Sequence, residues 1–69
     1  MIMYKLIKDK LTGETKSVQR LSDNAFIPFD PANTDYANFK KEILADEAQL
    51  QDAEGVIMAD AKAYVASLP

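Results

Sequence analysis

The sequence predicts a small α+β domain, and three observations carry that expectation. Apolar residues alternate with a period of two at the N-terminus, while aromatics recur at helical spacing in the middle. Between them lies a junction rich in Pro, Asp and Asn. The stretch from Arg20 to Phe39, RLSDNAFIPFDPANTDYANF, holds this change of period and four of the six aromatics, Phe26, Phe29, Tyr36 and Phe39. The expected architecture is an antiparallel hairpin or meander over about 1–8, 15–21 and 25–29, packed by a helix over about 34–46. A small hairpin or helix and a short C-terminal helix over about 60–68 follow, all in one domain spanning 1–69.

In the first strand Ile2, Tyr4 and Leu6 share one face, and Met3, Lys5 and Ile7 the other. Asp9 to Glu14 reads as a tight turn, with an Asp that accepts from nearby amides and Gly13 free to take φ > 0. Val18 is the expected inward residue of the second strand, and Leu21 to Asn24 turn the chain again. Pro28 cannot donate to a ladder, so the third strand belongs at a sheet edge. An apolar edge strand invites pairing unless something covers it. Phe26, Ile27, Pro28 and Phe29 are therefore candidate protein-contact residues, although aromatics at this spacing serve first as core.

Pro31 follows Asp30 and breaks the extended run. Asn33 or Thr34 suits an N-cap, Asp35 complements the helix dipole, and Tyr36, Phe39 and Ile43 form one stripe. Residues 48–58 allow two readings. The hairpin, Ala48–Gln51 against Val56–Met58 around Asp52–Gly55, is preferred, because β-branched residues straight after Gly55 open a helix poorly. The alternative runs one helix through Gln51 and starts another near Val56. The last helix places Ala61, Tyr64, Val65 and Leu68 on one face, with Pro69 beyond it. The candidate core is Tyr4, Leu6, Val18, Tyr36, Phe39, Ile43, Tyr64 and Leu68.

At 48% hydrophobic and 28% charged, the chain has the composition of a folded globule. It has no Cys and no His, which removes disulfides and the usual zinc, copper and haem ligands. A core this small commonly gains support from association, so a homo-oligomer or docking on a larger assembly is expected. No apolar run approaches the length of a membrane span and MIMYKLIKDK lacks a signal-peptide pattern, so neither secretion nor membrane insertion is expected. Charge is uneven. Residues 1–22 carry five basic and two acidic side chains, a net +3, and residues 23–69 three basic and nine acidic, a net −6. Lysines on a wet hairpin face and carboxylates on a wet helix face explain this; two surfaces of opposite sign that steer docking are the sharper reading.

Chemistry is hard to place in this composition. The commonest general base and the strongest nucleophile are missing, and two glycines cannot build a phosphate loop. Asp23 and Asp30 read as turn and pre-proline residues rather than a carboxylate pair. Asp52–Gly55 lacks the alternating oxygen ligands of a calcium loop. The expectation is therefore no enzyme, no cofactor and no metal. Nucleic acid is not expected as a partner either, since the basic residues lack interleaved aromatics beyond Tyr4.

The segment Arg20–Tyr36, RLSDNAFIPFDPANTDY, together with Met3-Tyr4-Lys5-Leu6, resembles a family of very short tailed-phage and prophage proteins usually encoded among tail and tail-fibre genes. The resemblance covers residues 3–43. Relatives reach the Arg-Leu-Ser-Asp step through a shorter hairpin and often carry Trp where this chain has Ile43. The resemblance implies a virion or tail-associated structural protein, made in the host bacterial cytoplasm, that docks on phage tail or other virion proteins. The alternative is a non-structural phage protein, either a tail-fibre assembly factor or an acidic inhibitor of a host protein. No catalytic residues are established in that family, so none carries over.

Overall fold

The computed structural model describes residues 2–68. Its elements run β1 (Ile2–Lys8), β2 (Thr15–Arg20), β3 (Ala25–Pro28), α1 (Thr34–Leu44), β4 (Ala48–Gln51) and α2 (Ala61–Ala66). The strands form one sheet in the order β3-β2-β1-β4, with α1 and α2 packed on one side. The fold is the α+β domain expected from the sequence. Met1 of the first expected strand and Pro69 beyond the last helix lie outside the described residues.

Each N-terminal turn is closed by its own side chain. Asp9 Oδ1 accepts from the Leu11 amide at 2.8 Å, and Gly13, at φ +74°, donates its N–H to the Asp9 carbonyl at 2.7 Å. At the second turn Asn24 takes φ +58°, a left-handed conformation that Asn tolerates better than most residues. The resulting meander pairs Leu6 with Val18 and Val18 with Ile27, so a single row of apolar side chains crosses three strands.

Helix α1 starts at the N-cap Asn33, whose Oδ1 accepts from the Tyr36 amide at 3.1 Å. It ends two residues earlier than the apolar pattern alone suggested. Asp46 takes φ +60°; its N–H donates to the Ile43 carbonyl, and Glu47 N–H to the Glu42 carbonyl. These two bonds make a Schellman stop, built on Asp rather than the usual Gly. Tyr36, Phe39 and Ile43 all face the sheet, buried.

The main departure from expectation concerns β4. The hairpin reading of 48–58 is closer than the helical one, since Gln51 bridges Ile57 antiparallel and Asp52 N–H donates to the Val56 carbonyl at 2.8 Å. The chief partner of β4, however, is β1, to which it runs parallel, with Ile2 opposite Ala48 and Tyr4 opposite Leu50. The sheet is therefore mixed. Ala48 and Leu50 alternate inward and extend the buried face of β1, which no local pattern in 48–58 announces. Val56 and Ile57 stay exposed, while Met58 packs on the core. The final helix is also shorter than 60–68, spanning Ala61–Ala66, and Ser67 Oγ donates to the Tyr64 carbonyl at 2.6 Å as it ends.

All eight expected core residues contribute. Tyr4, Leu6, Val18, Tyr36, Phe39 and Ile43 are buried, and Tyr64 and Leu68 pack half-buried against them. Ile27, Ala48, Leu50 and Val65 complete the core. The Tyr4 and Phe39 rings meet edge to face at 4.9 Å, and Phe29 lies 5.3 Å from Tyr36 and 6.3 Å from Phe39. The total exposed area of 4403 Å² is close to the roughly 4,300 Å² expected of a compact monomer of this size, so the core closes without a second chain.

Ile27 and Phe26 make a stringent pair for testing this packing. Ile27→Lys forces a charge into the core at an expected cost of roughly 3–5 kcal/mol, a large share of the stability of so small a domain. Phe26→Lys, one residue away on the other face, is expected to shift stability by less than about 1 kcal/mol. Thermal unfolding followed by circular dichroism compares them. Equal losses would refute the alternation of β3.

Candidate protein-contact surface

Strand alternation divides the four candidate contact residues. Ile27 points under the helices and is 2% exposed, whereas Phe26 points away and is 66% exposed. Pro28 is exposed, and Phe29 is half-buried beneath Tyr36 and Phe39. Ile27 is therefore removed from the contact surface: its environment is the core, because it sits opposite Val18 in the apolar row. Phe29 belongs mainly to the core as well. Phe26 and Pro28 remain.

β3 is an edge strand, as Pro28 required, yet the edge is blunt. Phe29 N–H donates to the Lys16 carbonyl at 2.9 Å, continuing the Ser17–Pro28 register by one step. In an antiparallel ladder this makes Ile27 face β2 with its backbone groups and turns those of Phe26 and Pro28 outward. Pro28 has no N–H to offer, and its carbonyl already accepts from the Asp30 amide at 2.9 Å. Only the Phe26 peptide groups stay available for pairing, too little for an added strand. Contact through β3 is thus a matter of side chains on the sheet face.

That face is the side opposite the helices. By register, Phe26, Gln19, Lys5 and Gln51 form one row across it, with Ile7, Ser17 and Pro28 on one side and Met3 and Gln49 on the other. Met3 and Ile7 are half-buried among their neighbours, and Phe26 stands proud. None of these register positions is a carboxylate, and Lys5 is the one charged residue among them. Apolar Phe26, Pro28, Met3 and Ile7 interspersed with amides and a hydroxyl, and few charges, suit a protein-contact patch. Residues missed at the sequence level are the exposed Leu11 at the first hairpin tip, at 96%, and Val56 and Ile57; the tip position of Leu11 was the available signal.

The charged residues of the Arg20–Tyr36 segment have structural partners. Arg20 Nε and Nη2 donate to both carboxylate oxygens of Asp23, at 3.0 and 2.8 Å, and its Nη1 lies 3.9 Å from Asp35 in the first turn of α1. One guanidinium thereby joins the β2–β3 turn to the start of the helix. Its hydrogen bonds hold the Asp23 carboxyl down at about 2, and the carboxylates push the Arg20 guanidinium further up. Beside it Tyr4 Oη donates to Glu42 Oε2 at 3.1 Å. Burial, then this bond to Glu42, raises the Tyr4 phenol to about 12. The cluster is a strut that ties β1, the β2–β3 turn and α1 together.

Among the described residues no group of three or more His, Cys, Asp or Glu side chains could hold a metal, and no helix is long and apolar enough to cross a membrane. A hollow of about 350 Å³ lies where α1, β4 and α2 meet, walled by Ile43, Leu50, Met58 and the Asp46–Lys62 ion pair. Its lining holds no Ser, Thr or Tyr hydroxyl. Comparison with protein-family models, with curated proteins and with solved structures gives no match.

The depressed Asp23 carboxyl fixes the sign of an acid effect. Its contribution is present above the unfolded value of 3.8 and is lost as pH falls through about 2. Denaturant titrations between those pH values are expected to show stability falling in the native chain, and falling less in Asp23→Asn. Identical slopes would mean that the Arg20 fork does not persist in solution.

Proposed function

We propose that the chain is a phage virion or tail-associated docking protein that binds through its uncovered sheet face. The observation that carries this reading is Phe26, 66% exposed on the β3 side of a sheet face whose register positions carry no carboxylate. A large aromatic held out on a rigid strand is well suited to act as a binding anchor. The virion setting rests on the resemblance of residues 3–43 to short tail-cluster phage proteins. In this reading the chain folds first and docks second, by side chains rather than by strand exchange. The docking partner is a tail or other virion protein.

Purified particles from the strain that encodes the chain provide the test. Cleavage after Arg20 and Lys40 releases Leu21–Lys40, which covers most of the distinctive segment. Mass spectrometry is expected to find this peptide in washed particles at the level of tail proteins, and Phe26→Ser is expected to remove it while the variant remains folded in the infected cell. Peptide found only in cell lysate would overturn the structural reading in favour of a fibre-assembly factor or an inhibitor of a host protein.

A further inference from the structure

β1 is paired along its length by β2 but only in part by β4. Leu21 N–H donates to the Met3 carbonyl at 2.9 Å, which fixes the ladder: Met3, Lys5 and Ile7 turn their backbone groups to β2, while Tyr4 and Leu6 turn theirs toward β4. β4 ends at Gln51, opposite Lys5. There Asp52 Oδ1 accepts from the Glu54 and Val56 amides and bends the chain into a turn. The Lys5–Gln51 pair uses the Leu6 N–H, and beyond it, from the Leu6 carbonyl to Lys8, the β4-side edge of β1 has no strand beside it among the described residues.

A hollow of about 610 Å³ occupies this place, between β1 and the Ala53–Glu54 turn. Its volume is within the range of ligand sites, about 300–1,000 Å³. Lys5, Lys8 and Lys10 line it, and among the described residues none of the three side chains has a hydrogen bond or ion pair. The carboxylates at its rim are Asp9, already accepting from the Leu11 amide, and Glu54. Unpaired backbone and unpaired cations thus converge on one notch.

We propose that this notch accepts an extended, acidic segment of another protein, which continues the line of β4 along Leu6–Lys8 and sets carboxylates against Lys5, Lys8 and Lys10. Main-chain hydrogen bonds to the open edge supply the attachment, and the lysines supply the preference for acidic sequence. The site lies across the sheet from β3, whose blunt edge excludes the same mode of binding. It does not depend on the virion reading, since the open edge and the lysines belong to the fold itself.

The test uses the isotope-labelled full chain titrated with acetyl-Glu-Val-Glu-Val-Glu-amide and followed by NMR. Amides of residues 5–10 and 53–54 are expected to shift. Replacing the three glutamates of the peptide by lysine, or making Lys8→Glu with Lys10→Glu in the protein, is expected to weaken binding by about tenfold or more. Glu54→Gln is expected to tighten it, and added salt to weaken it. N-methylation of the central peptide bond is expected to weaken binding by a similar factor by removing a ladder donor. No shifts in this region, equal binding of the lysine peptide, or full binding of the N-methylated peptide would overturn the proposal. Concentration-dependent shifts of the same amides without peptide would also overturn it, by assigning the notch to a second copy of this chain.

Discussion

The contact between the Tyr4 and Phe39 rings is the constraint on which the other elements depend. Tyr4 sits on β1, one of the two strands with a neighbour on each side, and Phe39 is the middle residue of the helix stripe. Their edge-to-face approach at 4.9 Å fixes where α1 lies over the sheet. Once it is there, Tyr36 falls over Phe29, and Ile43 reaches the β4 side, where Ala48 and Leu50 extend the buried surface. The Tyr4 hydroxyl needs a partner inside this packing, and Glu42, one helical turn beyond Phe39, provides it at 3.1 Å. A polar and an apolar attachment thus join the same two elements.

A domain of this length has only enough helix for one side of a four-stranded sheet. The consequence is a division of labour written into alternate residues. Inward positions of β1, β2, β3 and β4 carry the core, while outward positions carry Phe26, Lys5 and a set of amides. Outward side chains can change without loss of packing, because none of them belongs to the core. The blunt β3 edge fits this arrangement: Pro28 guards the strand most exposed to unwanted pairing and leaves the sheet face as the proposed contact.

Much of this was legible in the sequence for a physical reason. Alternation in β1, the turn chemistry of Asp9 and Gly13, Pro28 at an edge and the Tyr36–Phe39–Ile43 stripe are local signals, and each survives in the fold. What was not legible is non-local. Ala48-Gln49-Leu50-Gln51 alternates like many exposed strands, and nothing within it says that its partner is β1, more than forty residues earlier. The assignment of Ile27 to the contact surface failed for another reason. Phe26-Ile27-Pro28-Phe29 is apolar at every position, so its spacing cannot say which pair faces inward; only pairing with Val18 decides.

A one-residue slip of β3 against β2 would exchange the two faces, burying Phe26 and exposing Ile27. The most direct measurement of the central arrangement is therefore a nuclear Overhauser map of the side chains in solution. The two-faced sheet predicts contacts from the Ile27 methyls to Val18 and other buried core residues, and from the Phe26 ring only to outward neighbours such as Gln19. Contacts between the Phe26 ring and α1 would contradict it, and with it the contact surface.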